Sequence, residues 1–339
     1  RALVEAAASA RPDLVRRVPA AQAATDAAGP PPPGDPPVAP PAAEPIAPPA
    51  LAARPPPAAI RIAVTDLAEH ARCPRRHWLG RTLGVPEPGG GPGVDPADDP
   101  ARATARGSLA HGLLAEIDLG APPLERRAQL AAACARRGYD PGAPAVRRIL
   151  GEVSRFADSA RGRGLAEAAR AGRLARVVPF LLRLEGSGGL PAAYLVGAID
   201  ALVLDPRRRT ATVIDYKYAS PRPAAPERYR LQLVAYALAA SRAHPGTRVR
   251  AELQFLRGGQ RAVALPVEPE DLARFAAEAP RAAWAAAREA GDVPPAALGR
   301  DEARCRAEGC GYAVRCYPRA GRTGAGAAPH PVAADRRAG

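Results

Sequence analysis

The chain has 339 residues, with 48 basic against 34 acidic side chains, a net charge of +14 and a pI near 10.5. It holds no run of about 18 apolar residues, so no membrane-spanning helix is expected, and its start lacks the ordered charged, apolar and cleavage regions of a secretory signal; a cytoplasmic location is the expectation. The basic balance favours a polyanionic partner, most simply nucleic acid, although 47 of the basic residues are arginine, a bias that GC-rich codons alone would also produce.

Residue 1 is Arg and the chain has no methionine, so it reads as the C-terminal part of something longer or as a reading frame without its start. Residues 1–59 read as an Ala/Pro-rich linker that can include the end of an upstream domain, with a short helix over 1–20. From Pro30 to Pro57, 14 of 28 residues are proline, which forbids a hydrogen-bonded ladder and predicts an extended polyproline-like spacer. Residues 60–318 form the folded domain, and 319–339 a Gly/Ala/Pro-rich disordered tail.

Within the domain, Thr65 or Asp66 is expected to cap a first helix, and Pro74 after Cys73 to break or restart it. Residues 86–100 read as a loop. Helices follow over about 104–119, 123–138 and 144–171, with Gly107 and His111 one turn apart on the first. A strand over Arg176–Leu184 leads through a glycine-rich turn to a hairpin, 194–205 and 210–218, around Pro206–Arg209. A helix over 228–240 carries Gln232 and Tyr236 on one face. A second hairpin, 251–256 and 262–267, and a helix over 271–290 with Trp284 on its apolar side complete the order. Strands interleaved with long helices predict an α/β domain with a central mixed β-sheet flanked by helices.

The central hairpin carries the chemistry. If Pro206–Arg209 is a four-residue loop, Asp205 pairs with Thr210 and the same register sets Asp200 opposite Asp215, with Cβ atoms about 5 Å apart. Lys217, two residues on, shares that face and is the only lysine in the chain. Where charge alone matters, this sequence uses arginine. One retained ammonium therefore points to a task that a broad, permanently charged fork performs badly; the plainer alternative is a surface ion pair with Asp215. The five cysteines do not suggest a secreted disulfide framework: Cys134 reads as a small buried helix residue, and Cys73, Cys305, Cys310 and Cys316 suit an iron–sulfur cluster, zinc or plain thiols. His70 and His77 read as helix-surface residues. A P-loop needs a lysine after glycine, and Lys217 is not so placed, so no such ATP site is present.

Gly107-Ser-Leu-Ala-His111, Gly197-Ala-Ile-Asp200, Val213-Ile-Asp215-Tyr-Lys217 and Gln232-Leu-Val-Ala-Tyr236 occur in the order and approximate spacing of the PD-(D/E)XK nuclease superfamily. The set most resembles its RecB/AddA/AddB-like branch over residues 60–318. That resemblance implies a restriction-endonuclease-like core in which Asp200, Asp215, His111 and the Tyr216 carbonyl bind Mg²⁺ or Mn²⁺. It makes Lys217 the residue that orients water or stabilises the phosphorane, with Gln232 and Tyr236 in support. Cys73-Pro-Arg-Arg-His-Trp-Leu with the late cysteines resembles members holding a [4Fe–4S] cluster, which would join the two ends of the domain; the four-residue gap between Cys305 and Cys310 departs from the more usual two. Another departure is Val177, standing in Arg176-Val-Val-Pro-Phe180 where such members often carry glutamate. The resemblance implies a DNA nuclease of double-strand break repair or recombination, preferring single strands, with a helicase motor upstream or in a partner subunit. Its alternative is a catalytically weak DNA-binding scaffold subunit of such a complex.

Overall fold

A computed structural model describes residues 58–88, 100–186, 188–221, 225–291, 301–307 and 310–317. The proposed N-terminal helix, the proline-rich spacer, most of the 86–100 loop and the tail beyond 317 lie outside the described residues.

The domain opens with strand β1 (Ile60–Ala63) and runs directly into helix α1 (Val64–Arg72). Ala63 is the N-cap and offers no side-chain acceptor, so neither Thr65 nor Asp66 caps α1; both lie in its first turn. Pro74 has no amide to continue the ladder. Cys73 accordingly ends α1 and starts α2 (Pro74–His77), its Sγ accepting from the Arg76 amide at 3.4 Å. A π-helical turn, Trp78–Thr82, follows.

Helices α3 (Pro100–Glu116), α4 (Pro123–Arg136), α5 (Pro144–Asp158) and α6 (Ala160–Arg170) form one layer. The single helix expected over 144–171 is two. Ser159 is extended and caps α6 by accepting from the Gly162 amide at 3.0 Å, and Gly162 lies so close to the previous turn that a Cβ would stand 2.1 Å from the Phe156 carbonyl oxygen. The helix-favouring alanine–arginine composition of this stretch is overridden here by one serine cap and one close approach.

Strands β2 (Leu174–Leu184), β3 (Ala193–Asp205) and β4 (Thr210–Lys217) precede α7 (Ala225–Ala243). Next come β5 (Arg248–Phe255), β6 (Ala262–Leu265) and α8 (Pro269–Gly291), then the short α9 (Glu302–Ala307) and α10 (Ala313–Cys316). The six strands make one mixed sheet in the order β1-β3-β4-β5-β6, with β2 on the far edge of β3. The hairpin register is as expected from Asp205–Thr210 to Ala201–Ile214. Strand β5 lies parallel to β4, from Thr210–Arg248 to Lys217–Phe255, so α7 is a crossover helix.

One edge of β3 decides the position of the site. Strand β2 takes the other edge almost throughout, Leu174 opposite Val203 to Leu184 opposite Ala193. The remaining edge is shared: β1 runs parallel to 193–196, and β4 antiparallel to 201–205. Strands β1 and β4 therefore point their C-terminal ends at each other, leaving 197–200 of β3 between them. The ladder on that edge is thus interrupted at 197–200, a crevice between two facing strand ends.

Both faces of the sheet are covered. One packs Leu195, Val213 and Leu253 under Val64 and Leu67 of α1, Leu233 and Ala237 of α7 and Ala283 of α8. The other packs Ala201, Ile214 and Tyr216 under Leu113, Leu130, Ile149, Phe156 and Leu165 of α3–α6. A third, smaller core of Leu79, Tyr312 and Cys316 joins the two ends of the domain. There the Tyr312 hydroxyl donates to the Val85 carbonyl at 2.6 Å and the Gly311 amide to Glu87 at 2.8 Å. Among the described residues no helix is long and apolar enough to cross a membrane.

Candidate active site

The crevice between β1 and β4 gathers His111, Asp200, Asp215, Lys217, Gln232 and Tyr236. Asp200 sits just beyond the end of the β3–β4 ladder. Its Oδ1 lies 3.1 Å from His111 Nδ1, and its Oδ2 accepts from the Tyr216 amide at 2.8 Å. That amide fixes Asp200 across the hairpin, one step beyond the last ladder pair, Ala201–Ile214. It is thus the amide of Tyr216 that engages Asp200. The Tyr216 ring is buried, edge-on to Phe156 at 5.6 Å and to His111 at 6.4 Å.

His111 is held from below. Helix α3 ends against β2, where Arg176 donates to the carbonyls of Leu114 and Ile117 at 3.0 and 2.6 Å. Burial opposes charge on the imidazole, but the Asp200 hydrogen bond and the charges of Asp200 and Asp215 prevail, so His111 binds its proton more tightly than an ordinary histidine.

Asp215 is 2 % exposed. Its Oδ2 meets Lys217 Nζ at 2.7 Å, and its Oδ1 accepts from Gln232 Nε2 at 3.1 Å. Gln232 also donates to the Tyr236 hydroxyl at 2.9 Å. Burial raises the Asp215 pKa and the like charge of Asp200 adds to it, with Lys217 opposing. Lys217 is pulled down by burial and up, by more, through Asp215 and Tyr229.

Gly197 belongs to the same assembly. An added Cβ would lie 2.7 Å from Phe180 Cζ and 3.2 Å from Tyr236 Cε1, and those two rings pack edge to face at 5.6 Å. A glycine is needed because two aromatic edges close on the backbone of β3.

Tyr229 is the residue that sequence reasoning missed. The Lys217 ammonium lies 4.3 Å from the centre of its ring. Tyr229, Gln232 and Tyr236 fall at i, i+3 and i+7 of α7, one helical face. The signal existed as spacing, but only the docking of α7 on β4 gives it an object.

Val177 supplies no oxygen. It occupies the β2 position between the pairs Arg176–Ala201 and Val178–Ile199, beside Asp200, at φ 49° and 51 % exposed. A β-branched residue in that region is strained.

His111, Asp200 and Asp215 offer one nitrogen and carboxylate oxygens, a hard donor set. Two acids lie beside one lysine and His111, and release of the His111 proton would leave negative charge that a divalent cation would neutralise. Among the described residues, however, no three His, Cys, Asp or Glu side chains already converge as a metal cage.

The same holds for the cysteines. The Cys310 amide donates to the Cys305 carbonyl at 2.9 Å, and Cys310 and Cys316 lie at the third core, but among the described residues the cysteines do not converge as a cage. Four soft thiols fit an iron–sulfur cluster or zinc by chemistry; burial raises the pKa of Cys305, Cys310 and Cys316. Cys134 is buried in α4, as expected. His70 and His77 are not on a helix surface. They are 7 % and 6 % exposed, with rings edge to face at 5.5 Å, because the break at Cys73 folds α2 back against α1.

A family model described as PD-(D/E)XK nuclease superfamily matches residues 61–317. No curated protein matches the chain. Among solved structures, SSO0001 is 17 % identical with a TM-score of 0.35, over 76 % of this chain and 85 % of that one. A "Putative exonuclease" from Eubacterium rectale is 10 % identical with a TM-score of 0.43, over 71 % of this chain and 85 % of that one.

Proposed function

The chain belongs to the PD-(D/E)XK nuclease superfamily, and from that premise we propose that it is a divalent-metal-dependent deoxyribonuclease hydrolysing phosphodiester bonds, with single-stranded DNA preferred. The observation that carries this reading is the meeting of Asp200, Asp215 and Lys217 in the crevice between β1 and β4, with Lys217 Nζ 2.7 Å from Asp215.

Asp200 and Asp215, joined by His111 and the Tyr216 carbonyl, would hold Mg²⁺ or Mn²⁺. When bound, such an ion neutralises phosphate charge and acidifies a water. The chain's own groups do the positioning. Asp215 and the Tyr229 ring fix the Lys217 ammonium, which keeps donors free for the attacking water or a non-bridging phosphate oxygen. The water oxygen bonds to phosphorus as the bond to the leaving oxygen breaks, the water giving its proton to solvent and the leaving oxygen taking one from it, and the ammonium stabilises the charge that builds on the phosphoryl oxygens. Gln232 holds Asp215 and Tyr236 in one network, so the carboxylate cannot swing away. Arginines on the helices would hold the backbone without reading sequence.

The finer reading follows from the motif set of the RecB/AddA/AddB-like branch. The domain would serve double-strand break repair or recombination, receiving strands from a helicase motor in the same chain or a partner. Cys73, Cys305, Cys310 and Cys316 would hold a [4Fe–4S] cluster; its support is that Cys310 and Cys316 lie at the Leu79–Tyr312–Cys316 core, where the two ends of the domain pack together. The test of the nuclease reading is degradation of labelled single-stranded DNA with Mg²⁺, with Mn²⁺ and with EDTA. Cleavage with either ion, absent in EDTA and in Asp200→Ala, is expected; cleavage that persists in EDTA contradicts it.

A further inference from the structure

A cationic feature lies away from that crevice. At the turn end of the central hairpin, a cavity of about 330 Å³ is lined by Arg173, Val203, Asp205, Arg208, Thr210, Thr212, Arg248 and Arg250. The registers explain the lining. Val203, Thr212 and Arg250 form one rank across β3, β4 and β5; Asp205, Thr210 and Arg248 form the next. Cross-strand partners share a face, so two threonine hydroxyls make a floor with an arginine pair on one side. Arg173, just before β2, approaches from the other side, and Arg208 from the turn.

The charge in this cavity is not balanced. Its one acid, Asp205, accepts from the Arg208 amide at 3.1 Å and lies 3.8 Å from the Arg208 side chain. Glu252, next in line on the same face, is paired with Arg161. Arg173, Arg248 and Arg250 have no acidic partner among the described residues. Three guanidiniums and two hydroxyls around a concavity suit phosphoryl oxygens, which guanidinium forks bind bidentately. The site is distinct from the crevice: Thr210 is five residues from Asp215 along β4, about 17 Å, and Thr210 and Thr212 lie on the opposite face of the strand from Asp215.

We propose that this cavity is a phosphate-binding site for adjacent phosphate groups, held by Arg173, Arg248 and Arg250 over Thr210 and Thr212. The phosphates come either from a nucleic-acid strand or from a free oligophosphate. The site does not depend on the cleavage reading, because binding here is measured without turnover.

The experiment is calorimetric titration of the full chain with inorganic pyrophosphate in EDTA, so that no metal-bound phosphate forms at the carboxylates. Saturable binding is expected, weakened tenfold or more in the Arg248→Gln/Arg250→Gln variant and in Arg173→Gln from the opposite wall. Arg61→Gln/Arg183→Gln, two exposed strand arginines beside Tyr194 with the same loss of charge, is expected to bind as the unaltered chain does, and circular dichroism checks that each variant is folded. Absence of saturable binding by the unaltered chain, or equal weakening in the control pair, overturns the proposal. Addition of a single-stranded oligonucleotide separates the sources: displacement of pyrophosphate that is lost in the Arg248/Arg250 variant assigns the site to a nucleic-acid strand, and pyrophosphate binding untouched by the oligonucleotide assigns it to a free oligophosphate.

Discussion

The Lys217 ammonium stands 4.3 Å from the centre of the Tyr229 ring while paired with Asp215 at 2.7 Å. One side of the cation is thus fixed by a carboxylate and another by an aromatic face. A cation–π contact at a largely desolvated site is worth roughly 1–2 kcal/mol, near the tenfold in rate that about 1.4 kcal/mol represents. Tyr229→Leu is expected to lower kcat about tenfold with little change in KM, and Tyr229→Phe, which keeps the ring, to retain most of it. Equal losses in the two variants would assign the effect to the hydroxyl.

Val177 holds φ 49° beside Asp200 with its side chain half in solvent. Such a conformation costs on the order of 1–3 kcal/mol for a non-glycine residue and is easiest for asparagine and glycine. Val177→Asn is expected to raise unfolding stability by about 1 kcal/mol in urea. An unchanged or lower midpoint would show that the neighbouring strand, not the residue, absorbs the strain.

Burial lowers the His77 pKa, with the neighbouring His70 adding to it. A depressed pKa means that the folded state disfavours the proton. Its stabilising contribution is present above the ordinary histidine value of about 6.5 and is lost as pH falls from there through the lower folded value. His77→Leu is expected to flatten the fall in Tm between pH 8 and 5. A slope identical to that of the unaltered protein would assign it to other groups.

The cysteine reading carries its own outcome. Protein purified without oxygen is expected to contain iron and acid-labile sulfide and to show visible cluster absorbance, all lost in Cys310→Ser together with thermal stability of the 73–88 and 310–317 junction. Stoichiometric zinc instead, or no metal with unchanged stability on substitution, would reject the cluster.

Much of the site was legible because its logic is local. A four-residue turn fixes the Asp205–Thr210 register, and strand alternation then places Asp215 and Lys217 on one face and Asp200 across from them. What was not legible depends on long-range docking. The approach of β1 to β4 along one edge of β3, which creates the crevice, joins residues more than 130 positions apart and leaves no periodic trace. The arginine ranks on β5 gain meaning only once β5 lies parallel to β4. Tyr229 looked like an ordinary helix residue until α7 was set over Lys217. The helix break at Ser159 and the burial of His70 and His77 were misread because a single cap, or a single proline, redirects a chain whose composition otherwise favours helix.

The most direct test of the central claim is Mg²⁺-dependent degradation of labelled single-stranded DNA by the protein purified without oxygen, beside Lys217→Ala, with folding and DNA binding followed in both. The account predicts cleavage by the unaltered protein and its loss in the variant, which stays folded and still binds DNA. Equal cleavage by both would contradict the role of Lys217, and DNA binding without cleavage by either would leave a scaffold in place of an enzyme.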